Sequence, residues 1–259
     1  MASSDPAPPR LEYVWQLLSR PRAPGQDGYF EHLRSELLDL LTTAPRRFVE
    51  FGCGTGLTGA EVKRRYPAAI VDGFEYSPAA AAAAAERLDN VHPGDVERID
   101  FASLYAPESI DVLLLADVLE HLYDPWNLLV RIRPFLSRDA VVLASIPNIR
   151  NLALLGELSA GTFTYEPAGL LDITHIRFFT RIEILKMFAQ TGYDVPWIGN
   201  VRDPRIADIA ATAFPVHLET GSLVVKVPNA ETLTELMTIQ FYVRAHPRPD
   251  TATGDGSGT

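Results

Sequence analysis

The sequence predicts an α/β fold built around a largely parallel sheet. The first observation is an apolar run at 48–51 that breaks into glycines at every second position, Gly52, Gly54 and Gly56. This pattern is typical of a buried strand that turns sharply, because glycine reaches positive φ angles and lets a ligand approach the backbone. The second observation is a series of further apolar runs at 69–75, 111–116 and 140–148. Helix-forming segments follow the first two of these runs. Repeated strand–helix units favour parallel strands.

The glycine loop predicts a nucleotide-type site. A helix that starts at Leu57 would direct its free N–H groups at the ligand. Residues 54–59 fit the dinucleotide fingerprint G-x-G-x-x-G, which by itself does not identify a family. Residues 50–56, with Glu50 two positions before Gly52, closely resemble the first motif of the class I S-adenosylmethionine-dependent methyltransferases. Glu50 favours the methyltransferase interpretation.

Acidic residues also end the next predicted strands. Glu75 ends the run at 69–75, and Ser77 with Pro78 predicts the cap and the first position of the following helix. The alanine run at 79–85 and the residues after it are strong helix formers, so this helix is predicted to run through Leu88. A carboxylate at Glu75 could bind both hydroxyls of a ribose, which serves S-adenosylmethionine and NAD alike. Asp95 ends a further short strand. In the methyltransferase family an acid at this place accepts a hydrogen bond from the adenine amino group, and the next residue packs on the ring.

Two later segments extend the resemblance. Residues 117–122 follow the fourth predicted strand and resemble the "LEHL" signature of many small-molecule methyltransferases, which lies where this strand opens onto the transferring methyl group. The apolar spacing after it predicts a helix that starts near Pro125 and runs to Leu136. Residues 171–180 resemble the "THxRFFT" segment of a narrower group, whose members often methylate sugars or other hydroxyls.

From Phe48 to about Asn148 the chain resembles a complete class I methyltransferase core. The resemblance implies a Rossmann-like class I methyltransferase fold with a seven-stranded, mostly parallel sheet, an antiparallel last strand and helices on both faces. It also implies S-adenosylmethionine as the cofactor and S-adenosylhomocysteine as the product. The cofactor-binding residues that the resemblance assigns are Glu50, Gly52, Cys53, Gly54, Gly56, Glu75, Tyr76, Asp95, Val96, Ala116 and Asp117.

We expect a single methyltransferase domain at 11–247 between disordered termini at 1–10 and 248–259. Helical spacing in the N-terminal part predicts helices at Leu11–Leu18 and Tyr29–Leu41. The expected parts of the domain are cap helices at 11–47, a cofactor-binding core at 48–148, a substrate or lid insertion at 149–180, and a C-terminal helix with the last strands at 181–247.

Composition narrows the class of protein. The 259 residues carry a formal net charge of −10 and 47% hydrophobic residues, which suits one large α/β domain. No dense Lys/Arg run is present, so neither nucleic acid nor a membrane surface is an expected partner. The single cysteine fits a reducing compartment, and residues 1–9 lack the pattern of a secretory signal. We therefore expect a cytoplasmic enzyme.

Methyl transfer to a hydroxyl benefits from a positioned base, and histidine suits this role near neutral pH. His175, in the insertion, is the expected base. His121, in the "LEHL" segment, and Asp117 are the alternatives, either as base or as orienting groups. Each histidine has a competing structural interpretation, as a residue that hydrogen-bonds to backbone or holds the insertion in place.

Candidate acceptor-binding residues lie outside the core motifs. They are Tyr29, Tyr165, Thr174 and Arg177, the last as a partner for an anionic group of the acceptor or for an ion pair within the insertion. No metal site is expected, because the chain has no H-x-x-x-H pair and no C-x-x-C. The expected partner is a small-molecule acceptor, and a homodimer is an open possibility for the aromatic insertion and the final strands.

The function predicted from the sequence is transfer of a methyl group from S-adenosylmethionine to a hydroxyl of a small metabolite, in polysaccharide or natural-product biosynthesis. An N-methyltransferase acting on an amine or amino sugar is the alternative within the family. An NAD-linked oxidoreductase and a non-catalytic cofactor-binding protein are the alternatives from other classes. An oxidoreductase would leave the "LEHL" segment and Asp95 without a role. The intact glycine loop and acids argue against lost cofactor binding, but motifs alone do not establish turnover.

Overall fold

The computed structural model describes residues 13–18 and 30–249. Within them the strands are β1 Arg47–Phe51, β2 Ile70–Glu75, β3 Asn90–Pro93, β4 Ile110–Ala116, β5 Leu136–Pro147, β6 Tyr193–Arg202, β7 Val216–Thr220, β8 Leu223–Val227 and β9 Thr238–Pro247. The helices are α1 Val14–Leu18, α2 Ser35–Leu38, α3 Leu57–Arg65, α4 Pro78–Ala84, α5 Pro125–Ile132, α6 Leu152–Ser159, α7 Arg181–Gln190 and α8 Ala230–Leu236.

Seven strands form one sheet in the order β3-β2-β1-β4-β5-β9-β6. The pairs from β3 through β5 are parallel, whereas β9 is antiparallel to both of its neighbours, β5 and β6. The predicted fold class is therefore confirmed: an α/β, Rossmann-like sheet of seven strands, with the last strand in the chain running antiparallel.

Both faces of the sheet are covered, as predicted. Along β4, Leu113 and Leu115 belong to one core cluster, whereas Leu114 belongs to the other, because alternate residues of a strand point to opposite faces. The first cluster includes Leu128 of α5 and Phe188 of α7. The second includes residues of α2, α3 and α4, which are Leu37, Leu38, Val62 and Ala84. Near-continuous apolar runs in the strands follow from this double burial.

The register brings the ends of the central strands to one edge. Phe51 of β1 pairs with Phe74 of β2 and with Leu115 of β4, and Ala116 pairs with Ser145 of β5. The chain leaves each parallel strand at this edge, so the segments that follow them meet there. Ligands of open α/β sheets bind in the crevice outside these carboxyl ends.

Two predicted helices in the first half of the chain are shorter than expected. The helix predicted at Tyr29–Leu41 is reduced to α2, because the carbonyls of Phe30 and His32 accept hydrogen bonds from Thr55 and Thr58 instead of bonds within a helix. Tyr29 itself lies outside the described residues, and of the helix predicted at Leu11–Leu18 the described part is α1. The helix predicted through Leu88 ends at Ala84 and continues as a turn.

The helix predicted from Pro125 to Leu136 is also shorter in the structure. It ends at Ile132, since Pro134 in the following 3₁₀ turn has no N–H to continue the helical bonds, and Leu136 already belongs to β5. The predicted Ser77 cap is confirmed, because its side chain accepts from Ala80 N. Thr180 caps α7 in the same way by accepting from Glu183 N.

The region between β6 and β9 forms a small unit of its own. Strand β8 pairs with β7 in a two-stranded sheet. Together with α8 it packs against Leu152 of α6 in a separate apolar cluster with Val227 and Leu236. The 203–237 segment therefore supports the insertion that follows β5.

The C-terminal boundary lies later than predicted. Arg248, which the sequence placed in the disordered tail, donates its backbone N–H to Gly192 O and forms an ion pair with Asp194. The predicted tail at 1–10, and residues 250–259 of the tail predicted at 248–259, lie outside the described residues. No helix among residues 13–18 and 30–249 is long and apolar enough to cross a lipid bilayer.

Candidate active site

The glycine loop after β1 is packed beneath the N-terminal segment. Gly54 has φ of +53°, and a Cβ added there would lie 2.5 Å from the Phe30 carbonyl oxygen. Thr55 donates to the same oxygen through its backbone N–H at 3.0 Å and through its hydroxyl at 3.1 Å. The loop therefore needs glycine at position 54 both for its backbone angle and for the close approach of Phe30. Gly56, also at positive φ, is the N-cap of α3.

Glu75 is held at the end of β2 with its carboxylate facing the loop. Its Oε2 accepts from Gly54 N at 2.9 Å, and its Oε1 accepts from Ser77 N at 2.8 Å. Burial raises the pKa of Glu75, and these backbone hydrogen bonds oppose the rise. A carboxylate oriented in this way retains lone pairs that can accept from ribose hydroxyls. The neighbouring Tyr76 is 78% exposed, so its ring is free to cover a ligand.

Glu50 and Cys53 lie beneath the loop. Glu50 is 3% exposed, and its Oε2 has no hydrogen-bond partner among the described residues. Burial raises its pKa to about 8, despite hydrogen bonds from Thr58 and Gly59. Cys53 is buried in the apolar cluster that contains Leu88, and burial raises the pKa of its thiol. Its thiol is thus a core group, and only its backbone lies on the loop.

Asp95 and Val96 follow β3 at the same edge. Asp95 caps the 3₁₀ turn Val96–Arg98 by accepting from Glu97 N at 3.0 Å, and it forms an ion pair with Arg98. Val96 is half-buried against the core that contains Phe101. The structure therefore places these two predicted adenine-side residues next to the ends of β1 and β2, with part of the Asp95 carboxylate already engaged.

Asp117 connects four parts of the chain at the end of β4. Its φ is +54°, which is uncommon for a residue other than glycine and is found at functional sites. Its carboxylate accepts from Ser145 of β5 at 2.8 Å, from Gln240 of β9 and from Arg34 of the N-terminal segment. Ala116, the other residue predicted here, is the last of β4.

A second group of side chains lies beyond Asp117. The 3₁₀ turn Leu119–His121 carries Glu120 and His121, and the insertion brings His175 against them. The His121 and His175 rings are 4.7 Å apart between centroids in an edge-to-face arrangement. His175 Nε2 lies 3.9 Å from Glu120 Oε1. The backbone N–H groups of Ile176 and Arg177 donate to the Glu120 carbonyl oxygen at 2.9 and 3.0 Å, so the two segments are joined.

Burial controls the protonation of this group. It lowers the pKa of His175 below its ordinary value, and it lowers the pKa of His121 with a further contribution from the neighbouring His175. The pKa of Glu120 is raised well above its ordinary value by burial and by the nearby Asp117. Both imidazoles are therefore neutral at pH 7 and can accept a proton.

The predicted acceptor residues are only partly gathered at this group. Thr174 lies next to His121, with its Oγ1 3.0 Å from His121 Nδ1. The guanidinium of Arg177 donates to the Tyr123 carbonyl oxygen through Nε and Nη2. Tyr165 lies in an exposed aromatic patch, edge-to-face with Phe163 at 5.6 Å.

Three further residues of the site were not predicted from the sequence. Arg34 and Gln240 bind Asp117, and Glu120 faces His175. Gln240 and Glu120 carry a signal, since each is a polar residue beside apolar neighbours in a buried segment. Arg34 carries none, because its role depends on a contact 83 residues away in the chain.

Known proteins are similar to parts of this chain. Residues 49–142 match the family Methyltransf_12, described as a methyltransferase domain. A trans-aconitate 2-methyltransferase from Methylobacterium radiotolerans is 30% identical over 165 residues, which cover 63% of this chain and 50% of that protein. A ribosomal RNA small subunit methyltransferase C from Pseudomonas paraeruginosa is 38% identical over 101 residues, 32% of this chain and 30% of that one. The chain thus spans half or less of these relatives' lengths.

Solved structures share the fold at lower sequence identity. A chain of a complex that contains the Haloferax volcanii Trm112 methyltransferase activator superposes with a TM-score of 0.58 and 17% identity, covering 86% of this chain and 92% of that one. A SAM-dependent methyltransferase from Thermotoga maritima gives 0.53 and 17%, covering 82% and 87%. The fold is that of the class I methyltransferases. The matched family is described as a methyltransferase domain and the Thermotoga maritima structure as SAM-dependent, in agreement with the predicted cofactor, S-adenosylmethionine.

Replacement of Gly54 tests the loop. Gly54→Ala places a Cβ against the Phe30 carbonyl oxygen and strains the backbone, so we expect S-adenosylhomocysteine affinity to fall at least about tenfold. Calorimetric titration measures it. Gly161→Ala is the matched control, because Gly161 also has positive φ but no atom lies within 4 Å of an added Cβ. Equal affinity of Gly54→Ala and the wild type would contradict the loop geometry.

The pKa of Glu50 predicts a pH-dependent stability. Because this pKa is raised from 4.5 to about 8, the protonated side chain contributes stability that is fully present below pH 4.5 and is lost as the pH rises through about 8. Between about pH 5 and about pH 9 the free energy of unfolding of the wild type should fall by roughly 2–4 kcal/mol relative to that of Glu50→Gln. Urea unfolding without cofactor measures this difference.

The exposed Glu219 provides the control for that experiment. Glu219→Gln should follow the wild type across the same pH range, since a solvated carboxylate gains nothing from neutralisation. If Glu50→Gln lost as much stability as the wild type, burial would not control the protonation of Glu50.

Proposed function

We propose that this protein is an S-adenosylmethionine-dependent methyltransferase that acts on a hydroxyl of a small metabolite, such as a sugar or a natural-product intermediate. The matched methyltransferase domain and the fold support the reaction class. The neutral histidine pair beside Asp117, with His175 buried and His121 half-buried, is the observation that favours a hydroxyl, because this acceptor must lose a proton.

The residues at the carboxyl edge fit the cofactor that we propose. Glu75 is positioned for ribose hydroxyls, and Gly54, whose backbone N–H donates to Glu75, has no Cβ that would collide with the Phe30 carbonyl oxygen. The unpartnered Glu50 Oε2 under the loop provides an acceptor, directly or through water, for the amino acid part of the cofactor. When bound, S-adenosylmethionine supplies a methyl group on a sulfonium, and the chain has to orient that group towards the acceptor.

His175 is the base that we propose. Its Nδ1 lies 3.2 Å from the Leu170 carbonyl oxygen, which can only accept, so Nδ1 carries the proton and Nε2 has the free lone pair. The proton that the acceptor hydroxyl has to lose on methylation would pass to Nε2 of His175. The resulting imidazolium would face Glu120 across 3.9 Å. A negative charge on Glu120 would stabilise it.

The acceptor would lie next to this histidine, against other residues of the insertion. Arg177, at the rim, would orient a polar group of the acceptor, although its guanidinium is shared with the Tyr123 carbonyl oxygen. Tyr165 and its neighbour Phe163 form an exposed apolar surface against which a ring of the acceptor could pack. Thr174, whose hydroxyl donates to Asp172 at 2.6 Å, is better suited to hold His121 than to bind the acceptor.

The reaction is tested first with a panel of acceptors. We expect transfer of labelled methyl groups from S-adenosylmethionine to hydroxylated sugars or related metabolites, and His175→Ala should lower kcat by about 10²–10⁴-fold. S-adenosylhomocysteine affinity should stay unchanged, which also reports an intact fold. His217→Ala, in an exposed position of β7, is the control and should keep full turnover.

Two results would change this proposal. Near-normal turnover of His175→Ala with unchanged cofactor affinity would remove His175 as the base and leave His121 or Asp117. Labelling of amines but of no hydroxyl would replace O-methylation by the N-methyltransferase alternative.

A further inference from the structure

We infer that Glu120, His121 and His175 form a binding site for a divalent first-row transition-metal ion. One ring nitrogen of each histidine and one carboxylate oxygen lie within 4.8 Å of one another. These residues come from two segments, the turn after β4 and the insertion, that the hydrogen bonds to the Glu120 carbonyl oxygen hold together. The inference rests on these side chains alone and does not require that the protein transfers methyl groups.

The second ring nitrogen of each histidine is already engaged. His175 Nδ1 lies 3.2 Å from the Leu170 carbonyl oxygen. His121 Nδ1 lies 3.2 Å from the Thr174 carbonyl oxygen, and the Thr174 hydroxyl beside it donates to Asp172. Both Nδ1 atoms therefore carry the proton, and both Nε2 atoms retain a lone pair. Metal-binding histidines in proteins are oriented in this way, by a hydrogen bond from the non-ligating nitrogen.

The carboxylate of Glu120 is an independent indication. Glu120 is 1% exposed, and neither of its carboxylate oxygens has a hydrogen-bond partner among the described residues. Its contact with His175 Nε2, at 3.9 Å, is longer than a hydrogen bond. Buried carboxylates are costly unless they are paired or coordinate a metal. A cation among the three side chains would satisfy Glu120 and both histidines together.

The donor set indicates which cation fits. Two imidazole nitrogens and one carboxylate suit Zn²⁺, Fe²⁺ or Co²⁺, whereas Ca²⁺ and Mg²⁺ prefer oxygen ligands. Bonds of about 2.0–2.2 Å would require the ligand atoms to approach one another by roughly 1 Å. Three protein ligands leave a coordination position for water or for an oxygen of the acceptor.

This inference departs from the sequence expectation of no metal site. That expectation relied on closely spaced ligands, but His121 and His175 are brought together by the insertion. A metal ion and a proton would compete for the same Nε2 lone pair of His175. With the ion bound, His175 would hold the ion instead of accepting a proton. A hydroxyl bound to the ion would lose its proton more readily than in water.

Titration of the metal-free full chain with Co²⁺ tests the inference, because tetrahedral or five-coordinate Co²⁺ absorbs visible light. We expect one equivalent to bind, followed by absorption and by calorimetry. Glu120→Gln, which keeps the shape of the side chain, and His121→Ala should each weaken binding at least about tenfold. His217→Ala should bind as the wild type does, since His217 lies on the exposed β7 strand.

Two results would overturn the inference. One is the absence of stoichiometric Co²⁺ binding to protein that still binds S-adenosylhomocysteine. The other is binding that Glu120→Gln and His121→Ala leave unchanged, which would place the ion elsewhere. Because S-adenosylhomocysteine binding is measured separately, failure of the metal site and failure of the proposed methyltransferase function give different results.

Discussion

The charge of Asp117 is the feature on which the rest of the site depends. This carboxylate stands at the end of the central strand β4 in a left-handed conformation, and β5, β9 and the N-terminal segment each contribute a donor to it through Ser145, Gln240 and Arg34. Charge-assisted hydrogen bonds of this kind are stronger than neutral ones. They hold together, at one point, elements that are far apart in the sequence.

Two regions of different chemistry meet at this point. On one side, the glycine loop is packed beneath Phe30, and Gly54 N donates to the fixed carboxylate of Glu75. On the other side, the buried Glu120 and His175 and the half-buried His121 form a group whose histidines stay neutral because burial penalises their charged forms. The cofactor site that we propose and the group that we propose to accept a proton or a metal ion thus lie at the same edge of the sheet.

Local features were predicted well from the sequence, and contacts between distant segments were not. The strand, glycine loop and helix at 47–65 follow from residues that are neighbours in the chain, as does the Ser77 cap. The helix predicted over Tyr29–Leu41 failed because Phe30 and His32 bond to the loop instead. The pairing of Arg34 with Asp117 and of Glu120 with His175 depends on tertiary packing, for which periodicity and motif spacing give no signal.

The most direct test of the account is calorimetric titration of the full chain with S-adenosylhomocysteine, next to an identical titration with NAD. We predict micromolar or tighter binding of S-adenosylhomocysteine, a loss of at least about tenfold in Glu75→Ala, and no binding of NAD. Binding of NAD without binding of S-adenosylhomocysteine would contradict the account and would make the glycine loop a dinucleotide site.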